Sequence, residues 1–142
     1  MPAADLPRPD MLLPHRPPFL FVDELLSIVP GETASGRWRL TGDEFFFSGH
    51  FPGRPTLPGV LMCEAIAQVG AAAVLADERF AGKLPLFGGI EKARFRRLVV
   101  PGEVLILVVE LGRMSARGGK GSGRARVGDD LACQCDLLFV LG

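Results

Sequence analysis

The sequence predicts an α+β fold in which one long helix is buried by an antiparallel sheet. Three observations lead there. The stretch Val60–Ala76 (VLMCEAIAQVGAAAVLA) carries only Glu64 and Gln68 as strongly polar residues, and a helix that is apolar all round must be covered on every side. The segments before and after it are strand-like, rich in branched and aromatic residues. The chain has 142 residues, 48% of them hydrophobic, which suits one domain over residues 1–142 with a sizeable core. A sheet wrapped round the single helix is the economical way to cover it.

Residues 1–14 form a Pro-rich arm, and His15–Pro18 an extended approach. Phe19–Val29 and Thr33–Leu40 read as a hairpin about Pro30-Gly31. Ser48–Gly59 (SGHFPGRPTLPG) holds three prolines and three glycines beyond any regular repeat, so a shaped loop is expected. The helix follows at about 58–77, with Pro58 suited to its start. Pro85–Glu91 and Glu103–Met114 (EVLILVVELGRM) read as strands. Ser115–Asp130 is Gly-rich, with a weak strand near Arg124–Val127. Leu131–Leu141 alternates, with Leu131, Cys133, Cys135, Leu137, Phe139 and Leu141 on one face.

Charge and composition exclude several classes. Sixteen basic residues balance sixteen acidic ones, which does not favour nucleic-acid binding. The greasy run is short for a membrane span and carries a carboxylate, so no membrane insertion is expected. Cys63, Cys133 and Cys135, with only two histidines in the chain, make a poor zinc set. Buried, reduced thiols in a cytoplasmic protein are expected instead.

Glu64 is the first candidate for chemistry. Burying its charge among Met62, Cys63, Ala65, Ile66 and Ala67 is costly, so its pKa should rise toward the range of a proton donor. Gln68, four residues on, shares its helix face and can orient the carboxyl. A structural carboxylate hydrogen-bonded within the core is the alternative. His50 sits in the proline-stiffened loop that leads into the helix; an incidental loop histidine is its bland counterpart. At Gly59-Val60 the free N–H groups of the helix start favour developing negative charge, and glycine lets a carbonyl come close. A base, an acid and a backbone electrophile in one loop–helix unit fit proton abstraction beside a carbonyl.

Four stretches carry a resemblance: LPHRPPFLFVDEL (13–25), GHFPGRPTLPGVLMCEAIAQVGA (49–71), FGGIEKARFRRLVVPGEVLIL (87–107) and LACQCDLLF (131–139). In order and over most of the chain, they resemble the FabZ-type (3R)-3-hydroxyacyl-[acyl-carrier-protein] dehydratases. That resemblance implies a hot-dog fold and a hydro-lyase of fatty-acid elongation that yields trans-2-enoyl-[acyl-carrier protein]. It makes His50 and Glu64 a catalytic pair facing each other across a dimer interface. His50 would take the C2 proton, and Glu64 would protonate the departing 3-hydroxyl. The Gly59 N–H would polarise the thioester carbonyl, and Gln68 would support Glu64. It implies no metal or organic cofactor, a homodimer or three dimers together, and an acidic acyl-carrier protein presenting its substrate on phosphopantetheine. Glutamate at 64, where the related FabA group has aspartate, sides with FabZ.

The basic cluster Lys92, Arg94, Arg96 and Arg97 is either a solvated face or a docking surface for that carrier. His15 reads as structural, and Phe45-Phe46-Phe47 as tunnel lining, dimer seam or core. The segment 117–127 (RGGKGSGRARV) departs from the resemblance, which leads one to expect an aromatic strand there. Tunnel shape is therefore left open. An acyl-thioester hydrolase on the same fold and a non-catalytic acyl-binding subunit are the competing readings.

Overall fold

A computed structural model describes residues 1–142. After a short helix α1 (Pro9–Leu12) come β1 (Glu24–Val29) and β2 (Thr33–Arg39), then the long helix α2 (Gly59–Leu75). Four strands complete the chain: β3 (Pro85–Phe95), β4 (Val104–Ser115), β5 (Gly118–Val127) and β6 (Asp130–Leu141). They form one six-stranded sheet in the order β1-β2-β4-β5-β6-β3, with every neighbouring pair antiparallel.

The expected helix wrapped by a sheet is what forms. α2 touches all six strands, and from Met62 to Leu75 every residue except Glu64 is buried. The inward faces of the strands supply its cover: Trp38 from β2, Leu105, Leu107 and Val109 from β4, and Cys133, Cys135, Leu137 and Phe139 from β6. Gln68 is the only polar side chain among the buried residues. The three cysteines are buried and free, with the sulfurs of Cys63 and Cys133 3.9 Å apart.

The first expected strand is shorter than its apolar pattern. β1 begins at Glu24 rather than Phe19: the Phe21 amide donates to the side chain of Gln68 and the Phe19 carbonyl accepts from it, while the Asp23 amide already donates to the Arg37 carbonyl of β2. β3 runs on past Glu91 to Phe95, with an irregular register between Glu91 and Arg94 and a left-handed Lys92 (φ 54°). The largest correction is β5. Ten residues, not four, form a strand that pairs along its length with β4 and β6. Strand formation there needs backbone partners on both sides more than side chains, and glycine allows close approach. A β-carbon on Gly123 would lie 2.2 Å from the Cγ2 methyl of Ile66, so the missing side chain lets α2 press onto the sheet.

Of the three phenylalanines at 45–47, Phe47 is buried, while Phe46 packs edge-on against Phe21 and Trp38. Phe45 is 57% exposed. No helix is long and apolar enough to cross a membrane.

Candidate active site

The second turn of α2 carries Glu64 at the edge of a cavity of about 330 Å³. Ala67 and Ala71, on the same side of the helix, continue the wall, and Phe87 and Phe139 close it from β3 and β6. Apart from His15 and Glu64 the lining has no titratable side chain. Burial therefore dominates the Glu64 carboxyl and pushes its pKa upward, against a smaller downward pull from the Gln68 hydrogen bond.

Gln68 is fixed from two directions. Its Oε1 accepts from the Phe21 amide at 2.7 Å, and its Nε2 donates to the Phe19 carbonyl at 3.0 Å. Since a backbone N–H must meet an oxygen, the amide orientation is determined, and Nε2 is left to donate to Glu64 Oε2 at 2.9 Å. When the carboxyl is protonated, Oε2 then serves as its carbonyl oxygen and the proton sits on Oε1.

His50 is held by its own loop. Phe51-Pro52-Gly53-Arg54 makes a tight turn with proline second and a positive-φ glycine third (φ 73°), closed by Arg54 N donating to Phe51 O at 2.8 Å. The Thr56 amide donates to the His50 carbonyl at 2.8 Å, and Leu57 N ties the loop to Val99 O at 2.8 Å. The imidazole Nδ1 lies 2.8 Å from the Thr56 carbonyl. A carbonyl only accepts, so Nδ1 carries the ring proton and Nε2 keeps its lone pair: the tautomer of a base.

Gly59 opens α2, and its N–H donates to no backbone carbonyl. A β-carbon there would lie 2.8 Å from the Phe95 ring, so only glycine fits beneath that ring. His50 and Glu64 are not joined within one chain by a hydrogen bond or ion pair, nor does His50 line the Glu64 cavity. The group that does face Glu64 is His15, with its Nε2 3.8 Å from Oε2. Nothing in the sequence links the two residues, because forty-nine positions separate them and no local pattern joins them.

The basic cluster is not four free cations. Arg97 donates to Glu103 at 2.9 Å and lies 3.8 Å from Asp130. Lys92 turns to the outer face of the sheet, where it lines a hollow with Glu91, Glu110, Lys120 and Asp136. Arg96 contacts Gln134 at 3.3 Å, whereas Arg94 bonds only to the neighbouring Ala93 carbonyl; both are exposed and flank Phe95.

Residues 13–136 match the family described as the FabA-like domain. A 3-hydroxyacyl-[acyl-carrier-protein] dehydratase FabZ of Moorella thermoacetica is 53% identical over 131 residues, which is 92% of this chain and 92% of that one. The chain belongs to the FabZ-type dehydratase family. A second FabZ, from Desulforamulus reducens, is 50% identical over the same 92% of both chains. Among solved structures, the dehydratase heterocomplex ApeI:P from Xenorhabdus doucetiae superposes with a TM-score of 0.83 at 17% identity, covering 96% of this chain and 91% of that one. At that identity the likeness shows the fold. For the FabZ-type chain it agrees with the hot-dog arrangement, one helix rolled in one sheet.

Proposed function

We propose that this protein dehydrates (3R)-3-hydroxyacyl-[acyl-carrier protein] to the trans-2-enoyl product in fatty-acid elongation, in the cytoplasm; the names of its FabZ relatives make those proteins 3-hydroxyacyl-[acyl-carrier-protein] dehydratases. The carrying observation is a carboxyl that burial pushes toward its protonated form, whose Oε2 is pinned by Gln68 and whose Oε1 is left to give a proton. Glu64 Oε1–H protonates the 3-hydroxyl, which leaves as water. Nε2 of His50 of the partner subunit takes the C2 proton, and the electrons of that C–H bond form the C2–C3 double bond. The Gly59 N–H donates to the thioester oxygen as negative charge gathers on it.

The separation of His50 from Glu64 within one chain supports a site shared by two copies. So does the shape of the edge. β3 is the last strand of the sheet, with an unpaired side and with Leu86 and Ile90 each nearly half exposed, and such an edge seeks a partner strand. A second copy adding its own β3 covers that edge and brings the two helices side by side. Dimers assembled in threes remain compatible with this arrangement. Arg94 and Arg96, beside Phe95 at the helix start, offer the free positive charge for an acidic carrier protein, with the phosphopantetheine arm passing toward Gly59.

The test is incubation with carrier-linked 3-hydroxybutyrate. Enoyl absorbance with stoichiometric water loss is expected. Release of free thiol would make the protein a thioester hydrolase, and the absence of both would leave an acyl-binding subunit; either result overturns the reading.

A further inference from the structure

Outside the acid, the base and their direct supports, one buried polar group stands unexplained. His15 Nδ1 is fully buried and finds no hydrogen-bond partner. The ring is not loosely placed. Arg16 donates through Nη1 to the carbonyls of Leu13 at 2.8 Å and His15 at 2.7 Å, which clamps the backbone on either side of Pro14. Its other nitrogen looks into the cavity at Glu64 Oε2, 3.8 Å away.

The orphaned atom decides the tautomer. Burial, and behind it the positive charge of Arg16, press the imidazole below its ordinary pKa, so it is neutral at physiological pH and carries one proton. A proton on Nδ1 would be a buried N–H without an acceptor, a rarer and costlier defect than an unused lone pair. The proton therefore sits on Nε2, on the side of Glu64. At 3.8 Å this is a contact short of a hydrogen bond, and a movement of about 1 Å closes it.

We propose that His15 is a positioning residue for the reaction, whose Nε2–H closes onto Glu64 Oε2 as the carboxyl gives up its proton and becomes an anion. Gln68 already donates to the same oxygen, and a carboxylate oxygen has room for two donors. A bond that tightens only as charge develops lowers the barrier without tightening substrate binding. The remaining cavity walls from α2, β3 and β6 bring no titratable group to Glu64, and Arg16 is the fixed charge behind His15. The proposal rests on the reading of Glu64 as the acid.

Two measurements separate the two claims. In the untouched protein, nitrogen NMR of the imidazoles reads the tautomer without any turnover: a His15 proton on Nε2 at neutral pH is expected, and one on Nδ1, or on both, overturns the proposal. In turnover, His15→Phe keeps the ring shape and removes both nitrogens. It is expected to lower kcat roughly 10- to 100-fold with KM within about 3-fold. Losing a donor to the carboxylate favours the neutral form, so the alkaline limb of kcat moves to higher pH. His15→Gln, whose amide N–H can reach Oε2, restores part of kcat and returns the limb toward wild type. Equal losses in both variants with an unmoved limb would reduce His15 to a packing residue. Should His15→Phe not fold, the tautomer alone decides. An Nε2 proton together with an active Glu64→Gln variant would sink the acid assignment, not the geometry.

Discussion

Gln68 shows at the scale of one residue how a buried polar group is made both safe and useful. Both of its polar atoms are engaged: Oε1 takes the Phe21 amide, and Nε2 gives to the Phe19 carbonyl and holds Glu64. Gln68→Leu leaves one buried donor, the Phe21 N–H, and two part-buried acceptors, the Phe19 carbonyl and Glu64 Oε2, without partners, and we expect it to cost about 2–4 kcal/mol in urea unfolding. Glu64 works in the opposite sense. Its folded pKa lies above the unfolded value, so the folded state holds the proton longer. The stability it contributes is fully present below the unfolded pKa and is lost as pH rises through the folded one. Glu64→Gln, which never ionises, should therefore melt roughly 2–4 °C higher than wild type at pH 8 and at the same temperature at pH 4, while turnover falls about 10²–10⁴-fold. Equal melting temperatures at pH 8 would mean that burial is not straining this carboxyl. The upward shift of Glu64 and its contact with Gln68 were legible in the sequence, because a lone acid in a greasy helix must be partly desolvated and its polar neighbour four residues on shares its face. His15 was not legible, since its significance depends on a fold that returns residue 15 to residue 64.

At the scale of elements, the contrast between α2 and β5 says what a sequence transmits. The helix could be read to within two residues because an unbroken apolar run of that length has one stable outcome. β5 could not: GGKGSGRARV lacks the side chains by which strands are recognised, and its order comes from β4 and β6 pairing on its two sides. Its glycines are instead the fitted surface on which the helix lies. Gly123→Ala puts a methyl into Ile66, which is itself fully buried, and should destabilise the protein by about 1–3 kcal/mol in the same unfolding assay. A neutral result would show that α2 can lift from the sheet at no cost. Phe19–Val22 is not a strand for the complementary reason: the Phe21 amide and the Phe19 carbonyl are both taken by the helix's Gln68. The loop that carries His50 was recognisable as a shaped loop from its prolines and glycines, but the lone pair on Nε2 became visible only with the Thr56 carbonyl in place.

Across the whole molecule, the arrangement is one of halves. Each chain holds Glu64 in a cavity and His50 on a braced loop, the acid and base of the proposal, and it leaves β3 unpaired at the sheet edge. Sedimentation at micromolar concentration should accordingly give a dimer or a multiple of dimers, and a stable monomer with full activity would remove the shared site. The most direct test is to co-express equal amounts of His50→Ala and Glu64→Gln chains with different tags and to assay the mixed species. Random pairing puts half the dimers in mixed form, each with one intact site of two, so the pool should regain about one quarter of wild-type dehydration. Isolated mixed dimers should reach about half. Mixed dimers as inactive as either parent would mean that acid and base act within a single chain, and the account of the site would be wrong.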